Sequence, residues 1–186
     1  MKVAIDPGHG LSNRTPGVFD SGATHREGDS TFQEADITLQ YGLELRQTLV
    51  GRGIGNFMTR SSRDEAAPVA LRASRARDAG CDVFVSFHLN DAEDDNAQGL
   101  ELLFRSDTKD KPLASTLQQA LVTLTGLRDR KIKKRTDLAV LKFKPGPAVL
   151  IELGFIANDN DRNTLLNADV RSSICSKIVD VLTSTT

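Results

Sequence analysis

Two histidines in this chain stand where strand-like sequence ends. His9 follows Pro7 and Gly8, which break the first strand pattern, and His88 lies at the end of the strand-like run DVFVSFHLN. Zinc is bound in proteins by imidazole nitrogens together with carboxylate oxygens, so histidines brought together at strand ends could hold that metal. The alternative for His9 is an exposed turn histidine with no ligand role.

A catalytic zinc site needs a third protein ligand and one open coordination position. The stretch HREGDSTFQEADITLQ offers His25, Glu27 and Glu34 for that place. Glu34 also fits a capping box with Thr31, in which its carboxylate would bind the Thr31 backbone instead. The residues alone therefore leave the third ligand open.

A further carboxylate, Glu152, interrupts the almost wholly apolar run AVLIELGF and shares a strand face with Leu150. An isolated buried carboxylate is costly, so this side chain must be paired, hydrogen-bonded or close to a metal. A structural ion pair with one of the many arginines is the alternative to a role in chemistry.

The elements that must position these residues alternate between strand and helix patterns. Strand patterns cover Lys2–Asp6, Ile54–Thr59, Asp82–His88, Gly99–Arg105, Leu138–Phe143 and Ala148–Leu153. Helical patterns cover Glu34–Val50, Pro68–Ala79, Pro112–Leu124 and Val170–Leu182. This alternation predicts a single α/β domain over residues 1–186, with a mostly parallel sheet of about six strands and helices on both faces. Sites in such sheets gather beyond the carboxyl ends of the strands.

Composition narrows the classes of partner. The 186 residues carry a formal net charge of −1, which gives no general attraction to nucleic acid, and none is expected as a partner. The basic run Arg128–Arg135 is predicted to be a solvated loop, with contact to acidic wall polymer or lipid headgroups as the alternative. We expect a monomer in which Cys81 and Cys175 are reduced and buried.

The sequence also gives an expectation for where the protein is made. No apolar run approaches the roughly 18 residues of a membrane-spanning helix. Strand-like sequence begins at Lys2, which leaves no room for a signal peptide. We therefore expect synthesis in a cytoplasm and no transmembrane segment.

Four motifs, in order along the chain, resemble the zinc-dependent N-acetylmuramoyl-L-alanine amidases of the Amidase_3 family. They are VAIDPGHG at Val3–Gly10, EADITL at Glu34–Leu39, DVFVSFHLN at Asp82–Asn90 and AVLIELGFIAN at Ala148–Asn158. The stretch TGLRDRKIKK at Thr125–Lys134 is also similar to the family's sequence before its fifth strand. The likeness covers nearly the whole chain.

The resemblance implies a zinc ion held by His9, Glu34 and His88. It favours Glu34 over Glu27 because the family's ligand glutamate opens a helix and has a leucine five positions on, here Leu39. It also implies that Glu152 is the catalytic carboxylate.

The same resemblance implies the reaction, which is hydrolysis of the amide between N-acetylmuramic acid and L-alanine in peptidoglycan. Arg72 matches a family arginine and is expected to support the site. Asp6 and Ser86 are candidates for orienting the ligating imidazoles.

The biological setting that the sequence favours is a phage endolysin, made in the host cytoplasm and acting on the cell wall after the membrane is breached. The alternatives are the catalytic domain of a bacterial cell-wall amidase, a different zinc peptidase or deacetylase, and a non-catalytic wall-binding module.

Overall fold

Six strands form the central sheet of the computed structural model, which describes residues 1–94 and 96–184. They are β1 (Lys2–Pro7), β2 (Gly55–Met58), β3 (Val83–Asn90), β4 (Leu100–Phe104), β5 (Asp129–Lys134) and β6 (Ala148–Phe155). Their order across the sheet is β2-β1-β3-β6-β4-β5. The first four of these run parallel, β4 is antiparallel to β6, and β5 is parallel to β4. The predicted mostly parallel α/β domain is confirmed.

Helices cover both faces of the sheet, as predicted. The described residues form the α-helices α1 (Glu34–Gly51), α2 (Val69–Asp78), α3 (Lys111–Thr125), α4 (Asp159–Leu166) and α5 (Ala168–Ser184). Buried residues of α1, α3 and α5 pack with Val3 and Ile5 of β1 on one face. Ala76 of α2 packs with Ala4 and Phe84 on the other face, because neighbouring strand residues point to opposite sides.

One predicted strand is wrong. Leu138–Phe143 contains a short 3₁₀ helix at Val140–Lys142, which packs its apolar side chains under the sheet beside α2. An apolar run of this length does not distinguish a strand from a buried helical turn. The sixth strand is formed instead by Asp129–Lys134, inside the basic run that was predicted to be a loop.

The position of β5 at the sheet edge explains how so basic a segment can be a strand. One side chain, Ile132, packs against the main core, and the lysines on either side of it are exposed. Lysine-rich edge strands are common because charge prevents pairing with other chains. Lys131 has a φ of 67° and the register with β4 shifts around it, which marks a bulge.

Two small hairpins connect β1 to α1. Gly10–Leu11 pairs with Phe19–Asp20, and Thr24–Glu27 pairs with Ser30–Gln33. They fill the space beyond the carboxyl end of β1, where the first histidine lies.

Two further expectations can be compared with the structure. Cys81 and Cys175 are buried and free, as predicted. Within the described part of the chain, no helix combines the length and apolar character needed to cross a membrane. The monomeric state stays a prediction.

Candidate active site

Three side chains from distant segments meet at the carboxyl ends of β1 and β3. The Glu34 carboxylate lies between two imidazoles, with Oε1 2.9 Å from Nδ1 of His88 and Oε2 3.1 Å from Nε2 of His9. The potential ligand atoms of the three residues all lie within 4.8 Å of one another. Two nitrogens and a carboxylate oxygen at this separation could hold one metal ion.

Glycines let the two histidine-bearing strand ends approach so closely. A Cβ on Gly8 would lie 2.4 Å from Cε1 of the His88 ring, so no larger residue fits there without displacing the imidazole. His9 itself has a φ of 59°, in the left-handed region that a non-glycine residue adopts only when its surroundings hold it there. The turn therefore directs His9 back over the end of β3.

The Glu34 carboxylate is fixed by backbone donors as well as by the imidazoles. The N–H of Leu89 donates to Oε1 at 2.9 Å, and the N–H of Ala23 donates to Oε2 at 2.8 Å. Burial alone would raise the pKa of Glu34, but the hydrogen bonds from His88 and His9 outweigh it and hold the pKa well below its usual range. Glu34 is therefore an ionised acceptor.

The alternative capping-box role of Glu34 is not found. Thr31 lies in a hairpin strand, and the residue before the helix is Gln33, which makes no side-chain cap. The structure also does not bring Glu27 or His25 into the group of potential ligands. Glu27 is largely exposed in the hairpin, and its carboxylate accepts a hydrogen bond from Arg162 at 2.9 Å.

Two buried arginines hold the carbonyl oxygens of the turn that carries His9. Arg60 donates to the carbonyls of Pro7 at 3.1 Å and Gly8 at 2.8 Å. Arg72 donates to the carbonyls of Pro7 at 2.7 Å and His9 at 2.6 Å. Three consecutive carbonyls thus bind guanidinium groups, which satisfies backbone acceptors that the tight turn leaves unpaired.

Asp6 and Ser86 support the site through Arg72 rather than through the imidazoles. The buried Asp6 carboxylate accepts hydrogen bonds from Arg72 at 2.9 Å, from Thr59 at 2.6 Å and from Ser86 at 2.7 Å. Burial would raise the pKa of Asp6, but the Arg72 charge and the two hydroxyl groups hold it below its usual range. The expected direct orientation of an imidazole by Asp6 or Ser86 is therefore corrected.

This arrangement predicts a large stability loss when Arg72 is removed. Arg72→Ala leaves the ionised Asp6 buried without its cation, which should cost about 3–5 kcal/mol of unfolding free energy near neutral pH. Arg77→Ala removes an exposed arginine of the same helix, which is paired with its exposed neighbour Asp78, and should cost less than about 1 kcal/mol. Denaturant unfolding of the two variants measures the difference, and equal small losses would contradict this role of Arg72.

Sequence reasoning missed Asp20, which approaches the other side of His9. Its Oδ2 lies 3.1 Å from Nδ1 of His9 and accepts a hydrogen bond from Asn13 at 2.6 Å. The contact is a close approach of charge without hydrogen-bond geometry, and a carboxylate beside the far nitrogen of an imidazole favours a proton there, which leaves the near nitrogen free to bind a metal. No sequence spacing predicts Asp20, because its position depends on the pairing of Phe19–Asp20 with Gly10–Leu11 in the first small hairpin.

Glu152 lies next to His88, since the two residues are partners in the pairing of β6 with β3. Its Oε2 atom is buried and has no hydrogen-bond partner among the described residues, and no ion pair to Glu152 forms there either. Burial raises the pKa of Glu152 to about 7, with the charges of Glu34 and Glu101 adding to the effect. The structural ion pair considered from the sequence is thus absent from the described residues, and a carboxyl group of this pKa can exchange a proton near neutral pH.

A groove runs past the His9 imidazole on the side of the small hairpins. It has a volume of about 560 Å³, and His9, Glu34 and Leu89 form part of its wall together with the hairpin residues Val18 and Phe19. The groove therefore opens onto two of the three potential ligands, His9 and Glu34.

Comparison with known proteins places this chain and its fold in a family. The family model described as N-acetylmuramoyl-L-alanine amidase matches residues 3–184. The chain is 33% identical over 185 residues to YqiI of Bacillus subtilis, covering 98% of this chain and 83% of that protein. It is 32% identical over 180 residues to LytH of Staphylococcus aureus, named a "probable cell wall amidase", covering 97% of this chain and 56% of LytH.

A solved structure gives the same assignment. The catalytic domain of CwlV, an N-acetylmuramoyl-L-alanine amidase of Paenibacillus polymyxa, superposes with a TM-score of 0.85 at 27% identity, covering 99% of this chain and 97% of that one. The chain belongs to the Amidase_3 family of N-acetylmuramoyl-L-alanine amidases and has the fold of a bacterial cell-wall amidase catalytic domain. It spans a little over half the length of the staphylococcal relative.

Proposed function

We propose that this chain is a zinc-dependent hydrolase that cleaves the amide bond between the muramoyl group of peptidoglycan and L-alanine. The observation that carries the proposal is the position of Glu152. A carboxyl group with a pKa of about 7 and an unpartnered oxygen stands beside three side chains that could hold a metal. Family membership supplies the bond that is cleaved.

The residues fit zinc by their donor set. His9 and His88 each direct one ring nitrogen at the Glu34 carboxylate, and that carboxylate is ionised. Two imidazoles and one carboxylate are a donor set known from catalytic zinc sites, which leave a fourth position open. The chemistry that zinc supplies when bound is Lewis acidity, which polarises a carbonyl and makes water a stronger acid.

The chain's own residues then perform the proton transfers. Glu152, in its ionised form, accepts a proton from the attacking water at a carboxylate oxygen and delivers it to the leaving amine of L-alanine. A pKa near 7 suits both proton transfers, from water to Glu152 and from Glu152 to the leaving amine. General acid–base catalysis of this kind contributes roughly 10²–10⁴ in rate. Asp20 lies beside the far nitrogen of the His9 ring, and Arg60 and Arg72 hold the turn that carries His9.

The zinc assignment predicts a metal content that can be counted. Purified protein should bind about one zinc ion per chain, and His9→Ala and His88→Ala should each lose it, since two remaining ligands hold zinc poorly. Metal analysis after dialysis measures this, with His25→Ala as the matched control that keeps its zinc. Full occupancy in both site variants would refute the ligand assignment.

The rival functions predict other outcomes on the same substrate. A different zinc peptidase would free amino termini at other bonds, a deacetylase would release acetate from the sugar, and a wall-binding module would bind peptidoglycan and cleave nothing. Family membership favours the amidase over all three.

The biological setting stays a prediction. The action of a phage endolysin, made in a host cytoplasm and released onto the wall, uses the same chemistry as a bacterial cell-wall enzyme. An endolysin added from outside should lyse Gram-negative cells whose outer membrane has been permeabilised and leave intact cells unharmed. A native gene that encodes a leader or further domains before Met1 would contradict the endolysin.

A further inference from the structure

Among the described residues, the basic edge strand β5 and its flanks have more cations than carboxylates in their ion pairs. Three cations, two on β5 and one just after it, are each paired with a different carboxylate. These pairs are Lys131–Asp129, Lys134–Asp107 and Arg135–Asp137. Arg130 and Lys133 share a single carboxylate, that of Glu101, at 2.9 Å and 2.5 Å. Neither cation forms an ion pair with any other carboxylate in the described part of the chain, so the two share one ion-pair partner.

The carboxylate that they share lies next to the catalytic carboxylate. Glu101 on β4 is the direct pairing partner of Glu152 on β6, so the two carboxylates face the same side of the sheet. The Arg130 guanidinium lies 4.8 Å from the centre of the Phe155 ring, three residues beyond Glu152. Phe155 thereby supports the guanidinium from one face.

Arg130 and Lys133 are both anchored by Glu101, yet both side chains remain partly exposed to solvent. Glu101 is nearly buried, whereas the side chains of Arg130 and Lys133 are 28% and 47% exposed. The bond to Glu101 uses the Nε of Arg130 and one direction of the Lys133 ammonium group. These cations stand two strands away from Glu152 in the sheet and keep donors that no described residue uses, so they are suited to bind a carboxylate.

The chemistry of the scissile bond decides which side of the substrate carries that carboxylate. In the muramoyl–L-alanine amide, the lactyl carboxyl group is the acyl half of the bond, so it is not free. The peptide that begins with L-alanine has at least its terminal carboxylate. An anionic group close to the bond therefore belongs to the peptide side.

We propose that Arg130 and Lys133, anchored by Glu101, form a subsite that binds a carboxylate of the stem peptide and selects acidic peptides as substrates. This inference rests on the proposed function, because it places the leaving peptide on the β6–β4–β5 side of the site. The glycan then occupies the groove beside His9 and the small hairpins.

The test measures binding, so it does not depend on turnover. Zinc-loaded Glu152→Gln protein is titrated with an N-acetylmuramoyl peptide whose carboxylates are free, and with the same compound after amidation. Lys133→Met and Arg130→Gln are introduced singly on this background, because the remaining cation still pairs with Glu101 and preserves the fold. Lys131→Met is the matched control, since that lysine is on the same strand and has its own partner, Asp129.

The expected result is that Lys133→Met and Arg130→Gln each weaken binding of the free-carboxylate ligand roughly tenfold. Neither should change binding of the amidated ligand, and Lys131→Met should change neither. Equal losses for both ligands, or no loss for either, would overturn the subsite. Failure of the wild-type protein to cleave the amide, with this discrimination intact, would instead overturn the proposed function.

Discussion

Glu152→Gln is expected to lower turnover roughly 10²-fold or more while the protein keeps its fold and its zinc. Glutamine has nearly the same shape, but it cannot take a proton from water at neutral pH. Zinc should stay bound, because the group of potential ligands consists of His9, Glu34 and His88. Release of muropeptides from peptidoglycan, normalised to folded and metal-loaded protein, measures the loss.

The stability of the same variant separates a catalytic role from a structural one. The pKa of Glu152 is raised to about 7 in the folded chain, so its ionised form destabilises the fold. The protonated carboxyl group of Glu152 contributes to the stability of the fold. This contribution is fully present below the pKa of an unfolded glutamate, about 4.3, and is lost as the pH rises through 7. Metal-free Glu152→Gln should therefore melt at or above the wild-type temperature at pH 8. A strongly lowered melting temperature with substantial activity per folded molecule would contradict the assignment.

Glu34→Gln is expected to weaken zinc binding by roughly 100-fold or more and to remove activity with it. Both carboxylate oxygens of Glu34 accept backbone N–H groups, from Leu89 and from Ala23. A glutamine must direct its NH₂ group at one of those donors, which leaves a buried N–H without an acceptor. It also offers a neutral ligand in place of a charged one.

Glu27→Gln is the matched control for that loss. Glu27 lies in the same connection between β1 and α1, is 62% exposed and pairs with Arg162, which also binds Asp159. Its replacement should leave zinc affinity and activity near wild type. Zinc titration by competition with a chelator measures both variants, and zinc loss in Glu27→Gln alone would transfer the ligand role to Glu27.

The part of the site that lies on strand ends could be predicted from the sequence. His9 and His88 follow strongly patterned strands, and the carboxyl ends of neighbouring parallel strands meet at one edge of a sheet. Glu152 could be singled out because burying a carboxylate inside an apolar strand is costly unless a partner or a function compensates. At these positions the strand-like sequence pattern and the parallel sheet of the fold lead to the same placement, so the sequence pattern was sufficient to predict it.

The part that depends on long-range packing could not be predicted. Glu34 could equally have capped its own helix, and what decides is the position of the Leu89 and Ala23 N–H groups. Asp20 reaches His9 through the pairing of a hairpin with strands of two residues each, too short to leave a pattern. β5 was mistaken for a loop because an edge strand can expose its lysines and carry almost no apolar alternation.

The most direct test of the account is to identify the bond that is cut and its dependence on metal. Purified peptidoglycan is digested with the protein as isolated, after chelation, and after zinc is restored, and newly freed amino termini are labelled and identified. We expect L-alanine amino termini to appear with the protein as isolated, to be absent after chelation and to return when zinc is restored. New termini at any other residue, or L-alanine release that chelation leaves unchanged, would contradict it.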